Sequence, residues 1–211
     1  MSLFQRLAGR RIGRSKDVIR PILVVGLGNP GPQYFDTRHN VGFRVLDELA
    51  GCMGVEFGDV GHFSLASNGS LYGRHVLLAK PQDFMNRSGG VIHGLLEEFG
   101  LGVSDLLVVH DEIDFSFGKI RLKRRGGDGG HRGVRSVIER MGSDGFARIR
   151  VGIGRGGKGE SESDYVLSPF TRQQEEDLRV VIGLVADRID ELIRIWDRDK
   201  LPEETRGEMH T

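Results

Sequence analysis

Four short polar segments carry side chains able to move protons or hold a polarised group: Asn29, Thr37-Arg38-His39-Asn40, Phe84-Met85-Asn86 and His110-Asp111-Glu112. Each lies at the end of an apolar run or at the entrance to the next. In an open α/β sheet such places gather at one edge. A histidine and a carboxylate brought together at such an edge could act as a general-base pair, and asparagine amides as hydrogen-bonding groups. Taken alone, His39 also reads as an ordinary cap or surface residue. The run His110, Asp111, Glu112 and Asp114 reads as a metal site or a solvated turn. No pair of histidines has ligand spacing, which argues against a metal. There is no Gly-x-Ser-x-Gly elbow, and the single cysteine, Cys52, falls inside an apolar-periodic helix. A covalent protein nucleophile is therefore disfavoured.

The elements that must position these residues can be read coarsely. Ile22–Val25 and Leu106–Val109 are continuous apolar runs of the kind found in buried strands. Tyr72–Ala79 and Arg148–Ile153 read as further strands, and Lys119–Lys123 alternates like an exposed one. Val41, Val45, Leu46, Leu49 and Met53 recur at helical spacing after Asn40, a good N-cap type. Val91–Phe99, the set Val134, Val137, Ile138 and Met141, and Arg172–Trp196 complete the helices. The expected fold class is α/β: a single domain over residues 21–198, with a mixed, mostly parallel central sheet and helices on both faces. Residues 1–20 are expected to be a flexible basic extension, 199–211 a frayed tail, and the loop 155–163 the mobile segment.

Composition narrows the function classes. The chain has 211 residues, 38% of them apolar, enough to bury a core. Its apolar runs fall far short of the roughly 18 residues of a membrane span. One cysteine can form neither an internal disulfide nor a zinc cluster, which fits a reducing, cytoplasmic setting. The first twenty residues lack the apolar core of a secretory signal. They are Arg-rich and acid-poor, as a transit peptide would be, but have no clear amphipathic run.

The net charge is zero, yet residues 119–150 carry ten basic and three acidic side chains while residues 21–118 carry five and twelve. That block is either a solvated basic face or a local phosphate footprint on an otherwise acidic protein. Gly26-Leu27-Gly28-Asn29-Pro30-Gly31 matches the dinucleotide-binding fingerprint. Helical periodicity begins only near Asn40, however, so no helix N-terminus faces a pyrophosphate there. A nucleotide-dependent oxidoreductase is set aside.

These segments together carry a resemblance. Gly26–Gly31 followed by Thr37-Arg38-His39-Asn40-Val41-Gly42, then Lys80–Gly89, Val109–Asp114, Gly126–Gly133, Arg150–Arg155 and Asp164–Ser168, resemble the ordered motifs of the bacterial-type peptidyl-tRNA hydrolase family. The similarity covers about residues 22–195. It implies hydrolysis of the ester joining a peptide to the 3′ end of tRNA, with peptidyl-tRNA as partner, no cofactor, no metal, no membrane, and action as a monomer. On this resemblance His39 is the base and Asp111 fixes its tautomer, while Asn29 and Asn86 flank it. Asn29 would discriminate blocked from free aminoacyl ends, and Tyr34 and Phe84 would line the substrate channel. Lys123 and Arg150 would clamp the tRNA 5′-phosphate.

Three positions depart from the family pattern. Arg132 stands where the family usually has asparagine; it can donate but not accept, and so suits a phosphate or carbonyl near the 3′ end. Asp83 replaces a threonine and Arg87 an apolar residue; four residues apart and oppositely charged, they are expected to pair. The rival from another class is a non-catalytic RNA-binding protein on the same fold. It would keep the basic block and lose the His39–Asp111 pair.

Overall fold

The alternation along the first strand decides the layering. Ile22 and Val24 point to one side of the sheet and Leu23 and Val25 to the other, and all four are fully buried. A strand covered on both faces needs apolar residues at every position, which is why this one is a continuous run. The structure is a computed structural model and describes residues 21–72 and 74–196, with the side chains of 66–70 left aside. The expectations for residues 1–20 and 199–211, and the domain boundary at 198, lie outside the described residues.

The strands are β1 (Ile22–Gly26), β2 (Gly58–Val60), β3 (Phe63–Leu71), β4 (Arg74–Pro81), β5 (Leu106–Glu112), β6 (Ile120–Lys123) and β7 (Ala147–Gly152). They form one sheet in the order β2-β3-β4-β1-β5-β7-β6. The central pairs β4-β1, β1-β5 and β5-β7 are parallel, and β2-β3, β3-β4 and β6-β7 antiparallel. The helices are α1 (Val41–Met53), α2 (Ser88–Phe99), α3 (Arg132–Met141), α4 (Glu162–Leu167) and α5 (Arg172–Arg194). Helices α1 and α5 cover the face of Ile22 and Val24, and α2 and α3 the face of Leu23 and Val25. The α/β class, the mixed sheet with a parallel centre and the helices on both faces are as the sequence predicts.

Four local readings are corrected. Strands β2 and β3 are absent from the sequence reading, because Ser64, Ser67, Asn68, Gly69 and Ser70 break the alternation and make the segment look like a loop. Tyr72 belongs to the turn before β4, with φ 52°, and the strand begins at Arg74. Helix α4 is missed because six residues are too few to show a period; Ser161 caps it, its hydroxyl accepting from the Asp164 N–H at 3.1 Å. Asn40 precedes α1 but makes no capping bond, since a tight turn over Arg38–Asn40 turns its amide elsewhere.

Gly26 and Gly28 of the nucleotide-like fingerprint, and Gly42 of α1, have a packing role. A Cβ on Gly42 would lie 2.5 Å from the Leu27 carbonyl oxygen and 2.6 Å from that of Val109. One on Gly28 would lie 2.7 Å from the Phe43 ring. Helix α1 thus crosses the exit of β1 too closely for side chains, and this close crossing holds the Arg38–Asn40 turn over the ends of β1 and β5.

Candidate active site

Parallel strands end at a common edge, so the exits of β1, β4 and β5 deliver their polar residues together. After β1 the Leu27 N–H still bonds the Val109 carbonyl at 2.9 Å, keeping the chain against β5 as far as Asn29. Asn40 then clamps Asn29 reciprocally. Its Oδ1 accepts from the Asn29 N–H at 2.8 Å and its Nδ2 donates to the Asn29 carbonyl at 2.9 Å. On the other side of His39, the buried Arg38 stacks on Tyr165 at 4.3 Å and donates to the Gln174 side chain at 3.0 Å. His39 is therefore held between two anchored neighbours.

The His39 Nδ1 faces Asp111 Oδ1 at 2.8 Å. The His131 Nε2 meets the same oxygen at 2.9 Å. His131 is the N-cap of α3, and its Nδ1 accepts from the N–H groups of Gly133 and Val134, both at 3.2 Å. An imidazole that accepts at Nδ1 carries its proton on Nε2, so His131 donates to Asp111. The anion likewise draws the His39 proton to Nδ1 and leaves the His39 Nε2 lone pair available. Burial pushes the Asp111 carboxyl up, but the charges and hydrogen bonds of His39 and His131 outweigh it and hold the group well below the usual carboxylate range. His110 packs edge-on against His131, ring centroids 4.7 Å apart. Burial first, and the neighbouring His131 second, keep it well below the ordinary imidazole range. It is a neutral wall behind the triad.

His39, Asp111 and His131 are also the group whose ligand atoms converge most like a metal site among the described residues. The bonding of His131 opposes that use. Its Nδ1 is filled by two backbone donors, and its Nε2 would have to give up the bond to Asp111 before binding an ion.

The triad opens on a cleft of about 560 Å³, lined among others by Asn29, Tyr34, Phe84, Met85, Asn86 and Arg132. Asn29 Oδ1 accepts from the Met85 N–H at 2.8 Å. That bond sets the amide orientation and turns Nδ2, a donor, towards the cleft. Phe84 is half-exposed at the rim.

Lys123 and Arg150 do not line the cleft; they lie on the paired strands β6 and β7, Arg150 directly behind Glu112. There Arg121 stands opposite Arg150 and Lys123 opposite Arg148, so the four share one sheet face. Their surroundings differ. Arg150 donates through Nε and Nη2 to Glu112 Oε2 at 2.9 and 2.7 Å and stacks over Phe115. Arg148 is buried, donates to the carbonyls of Gly127 and Asp144, and is pushed down to about 10 chiefly by its burial. The Asp83–Arg87 pair forms at 3.8 Å. Sequence reasoning gave His131 no role, although the residue stood in a quoted motif. The available signal was a histidine one position before a helix, three residues from apolar Val134.

A model of the family described as Peptidyl-tRNA hydrolase matches residues 23–205. The chain belongs to the peptidyl-tRNA hydrolase family. This family member is 47% identical over 175 residues to the peptidyl-tRNA hydrolase of Rhodococcus erythropolis, covering 82% of the chain and 92% of the relative. It is 45% identical over 172 residues to that of Geobacter metallireducens, covering 82% and 88%. Among solved structures it superposes on the peptidyl-tRNA hydrolase of Acinetobacter baumannii with a TM-score of 0.77 at 32% identity. That match covers 87% of this chain and 92% of the other. The resemblance read from the motifs is thus borne out, as is the enzyme class. No helix among the described residues is long and apolar enough to cross a membrane.

Proposed function

We propose that the protein hydrolyses the ester between a peptide, or an N-blocked amino acid, and the 3′ end of tRNA, using a water activated by His39. The observation that carries this reading is the pair of bonds to Asp111 that leaves His39 with its proton on Nδ1 and a free Nε2 at the cleft. The water oxygen attacks the ester carbonyl carbon while Nε2 takes its proton. The bond from that carbon to the ribose oxygen then breaks, and the imidazolium returns the proton to the leaving oxygen. Asn29 Nδ2, oriented by Met85, donates to the substrate carbonyl, and Asn86 stands beside it as a second amide. Tyr34 and Phe84 give the channel its apolar walls. In this reading the residues of one chain act without a cofactor or metal, and the protein acts as a monomer. The free thiol and an RNA substrate fit the cytoplasm.

The direct test is release of the acyl group from N-acetyl-aminoacyl-tRNA, with free aminoacyl-tRNA as the control. Rapid release from the first and slow release from the second supports the reading. Tight tRNA binding without release would favour the RNA-binding alternative.

Lys123 and Arg150 are the proposed 5′-phosphate clamp, and the structure changes how they are best tested. Arg150→Ala would strand the buried Glu112 carboxylate at the cleft wall and disturb the site itself. Lys123→Ala is the cleaner variant. It is expected to raise KM for full-length substrate about three- to tenfold with kcat within about twofold, because a single phosphate contact carries a modest electrostatic term. A short 3′-terminal fragment should not register the change. Equal loss on both substrates would assign Lys123 to the fold.

A further inference from the structure

The arginines around the cleft divide into committed and uncommitted groups. Arg38, Arg148 and Arg150 are tied to carbonyls or carboxylates, and Arg155 bridges Asp114 and Glu162. Arg135 is paired with Asp128. Two arginines that line the cleft are different. Arg132, the first residue of α3, is exposed and makes no ion pair or side-chain hydrogen bond with a described residue. Arg87 has a side chain 69% exposed and only the loose 3.8 Å approach to Asp83.

Both rise from the same wall. The Met85–Arg87 turn leads into α2, which packs on α3: the Met85 thioether lies against Gly133, and the Gly89 N–H donates to Ser136 Oγ at 3.0 Å. Arg87 follows Asn86 and Arg132 follows His131, so each arginine is anchored one residue along the chain from a group at the reacting centre. The carboxylates in the lining, Asp111, Glu112 and Glu162, are already paired, with His39 and His131, with Arg150 and with Arg155. Arg87 and Arg132 are therefore the lining cations, among the described residues, that are left to meet an entering anion.

Resting on the ester-hydrolase reading, we propose that Arg87 and Arg132 form a paired guanidinium site for the internucleotide phosphates next to the terminal nucleoside of the substrate. The position fits the chemistry. The ester must lie at His39, and the phosphodiester on the far side of the terminal ribose is one sugar away. That is the distance class spanned by one residue step plus an arginine side chain. Every substrate has this anion, whereas an acidic peptide side chain occurs only in some. Guanidinium is permanently charged and matches phosphate oxygens with two parallel donors.

The test compares N-acetyl-aminoacyl esters of adenosine, of the trinucleotide CCA and of full-length tRNA, for wild type and the double variant Arg87→Ala/Arg132→Ala. Both side chains are exposed, so the variant is expected to fold, as checked by circular dichroism. The expected result is a loss of about tenfold or more in kcat/KM on the trinucleotide ester, mostly in KM. With it, the preference for the trinucleotide over the adenosine ester collapses. The salt dependence of log KM on the trinucleotide should become shallower by about 0.7 per lost contact.

Equal loss on the adenosine and trinucleotide esters, or no loss on either, overturns the proposal and leaves the hydrolase reading standing. A loss confined to acyl groups with acidic side chains would also overturn it, identifying the anion as a carboxylate. A wild type inert on all three substrates removes both readings.

Discussion

His39→Ala is expected to lower hydrolysis of N-acetyl-aminoacyl-tRNA by about 10²–10⁴ while leaving tRNA affinity nearly unchanged, the range typical of losing a positioned general base. The variant should fold. His39 is buried, but its removal leaves Asp111 bonded to His131 at 2.9 Å, so no carboxylate is stranded without a partner. The turn that carries residue 39 is held by Asn40 on Asn29 and by Arg38 on its stacking partners, none of which depends on the imidazole. Binding is read with uncharged tRNA, and turnover by release of the acyl group at saturating substrate. Full activity in a folded variant would remove His39 from the chemistry. Loss of binding in step with turnover would make it a contact residue instead of a base.

How much of this could be read in the sequence follows from how each feature is encoded. The strands buried on both faces announce themselves by their apolar runs, Ile22–Val25 and Leu106–Val109, although β5 continues in the sheet through His110, Asp111 and Glu112, paired with β7. The ends of those runs point to Asn29, just beyond β1, and to Asp111, in the polar last part of β5. β2 and β3 lie at the sheet margin, where polar and glycine residues are tolerated, and so leave no pattern. The site was legible as far as residues lie at element ends, and illegible where a role depends on what folds back. His131 looks like a helix cap and is one through Nδ1. Only the path of the chain from β5 through β6 to α3 brings its Nε2 onto a carboxylate twenty residues earlier. Asn40 shows the reverse case: its residue type and place predict a cap, yet the turn before α1 gives its amide to Asn29. The basic block was visible as charge, but the β6-β7 register and Glu112 decide which of its members remain available. Arg150 is engaged where composition alone made it equal to Lys123.

Asp111→Asn separates the geometry of the triad from its charge. The amide is nearly the same size, but only its oxygen accepts, and an amide nitrogen placed toward either imidazole opposes a second donor. The two N–H groups that now share Oδ1 then compete, and His39 gains a reason to move its proton to Nε2, the position that must be empty to take a proton from water. The corresponding change in a serine-protease triad costs about 10⁴ in kcat. A loss of about 10²–10⁴ is expected here, with KM little altered. The pH dependence gives the second readout. Because the carboxyl of Asp111 is held well below the usual range, it stays ionised near neutrality and does not itself set the acidic limb of the rate profile. An amide stabilises an imidazolium less than a carboxylate does, so in the variant that limb should move to lower pH. Stability should follow the same sign. A carboxylate whose folded pKa is depressed contributes stability above its unfolded value and loses it as pH falls through the folded one. The variant should therefore be less stable than wild type near neutrality, and the difference should shrink as acid protonates Asp111 in the wild type. A variant that keeps the wild-type turnover and acidic limb while losing only stability would reduce Asp111 to a support for His131, and the tautomer argument for His39 would fall with it.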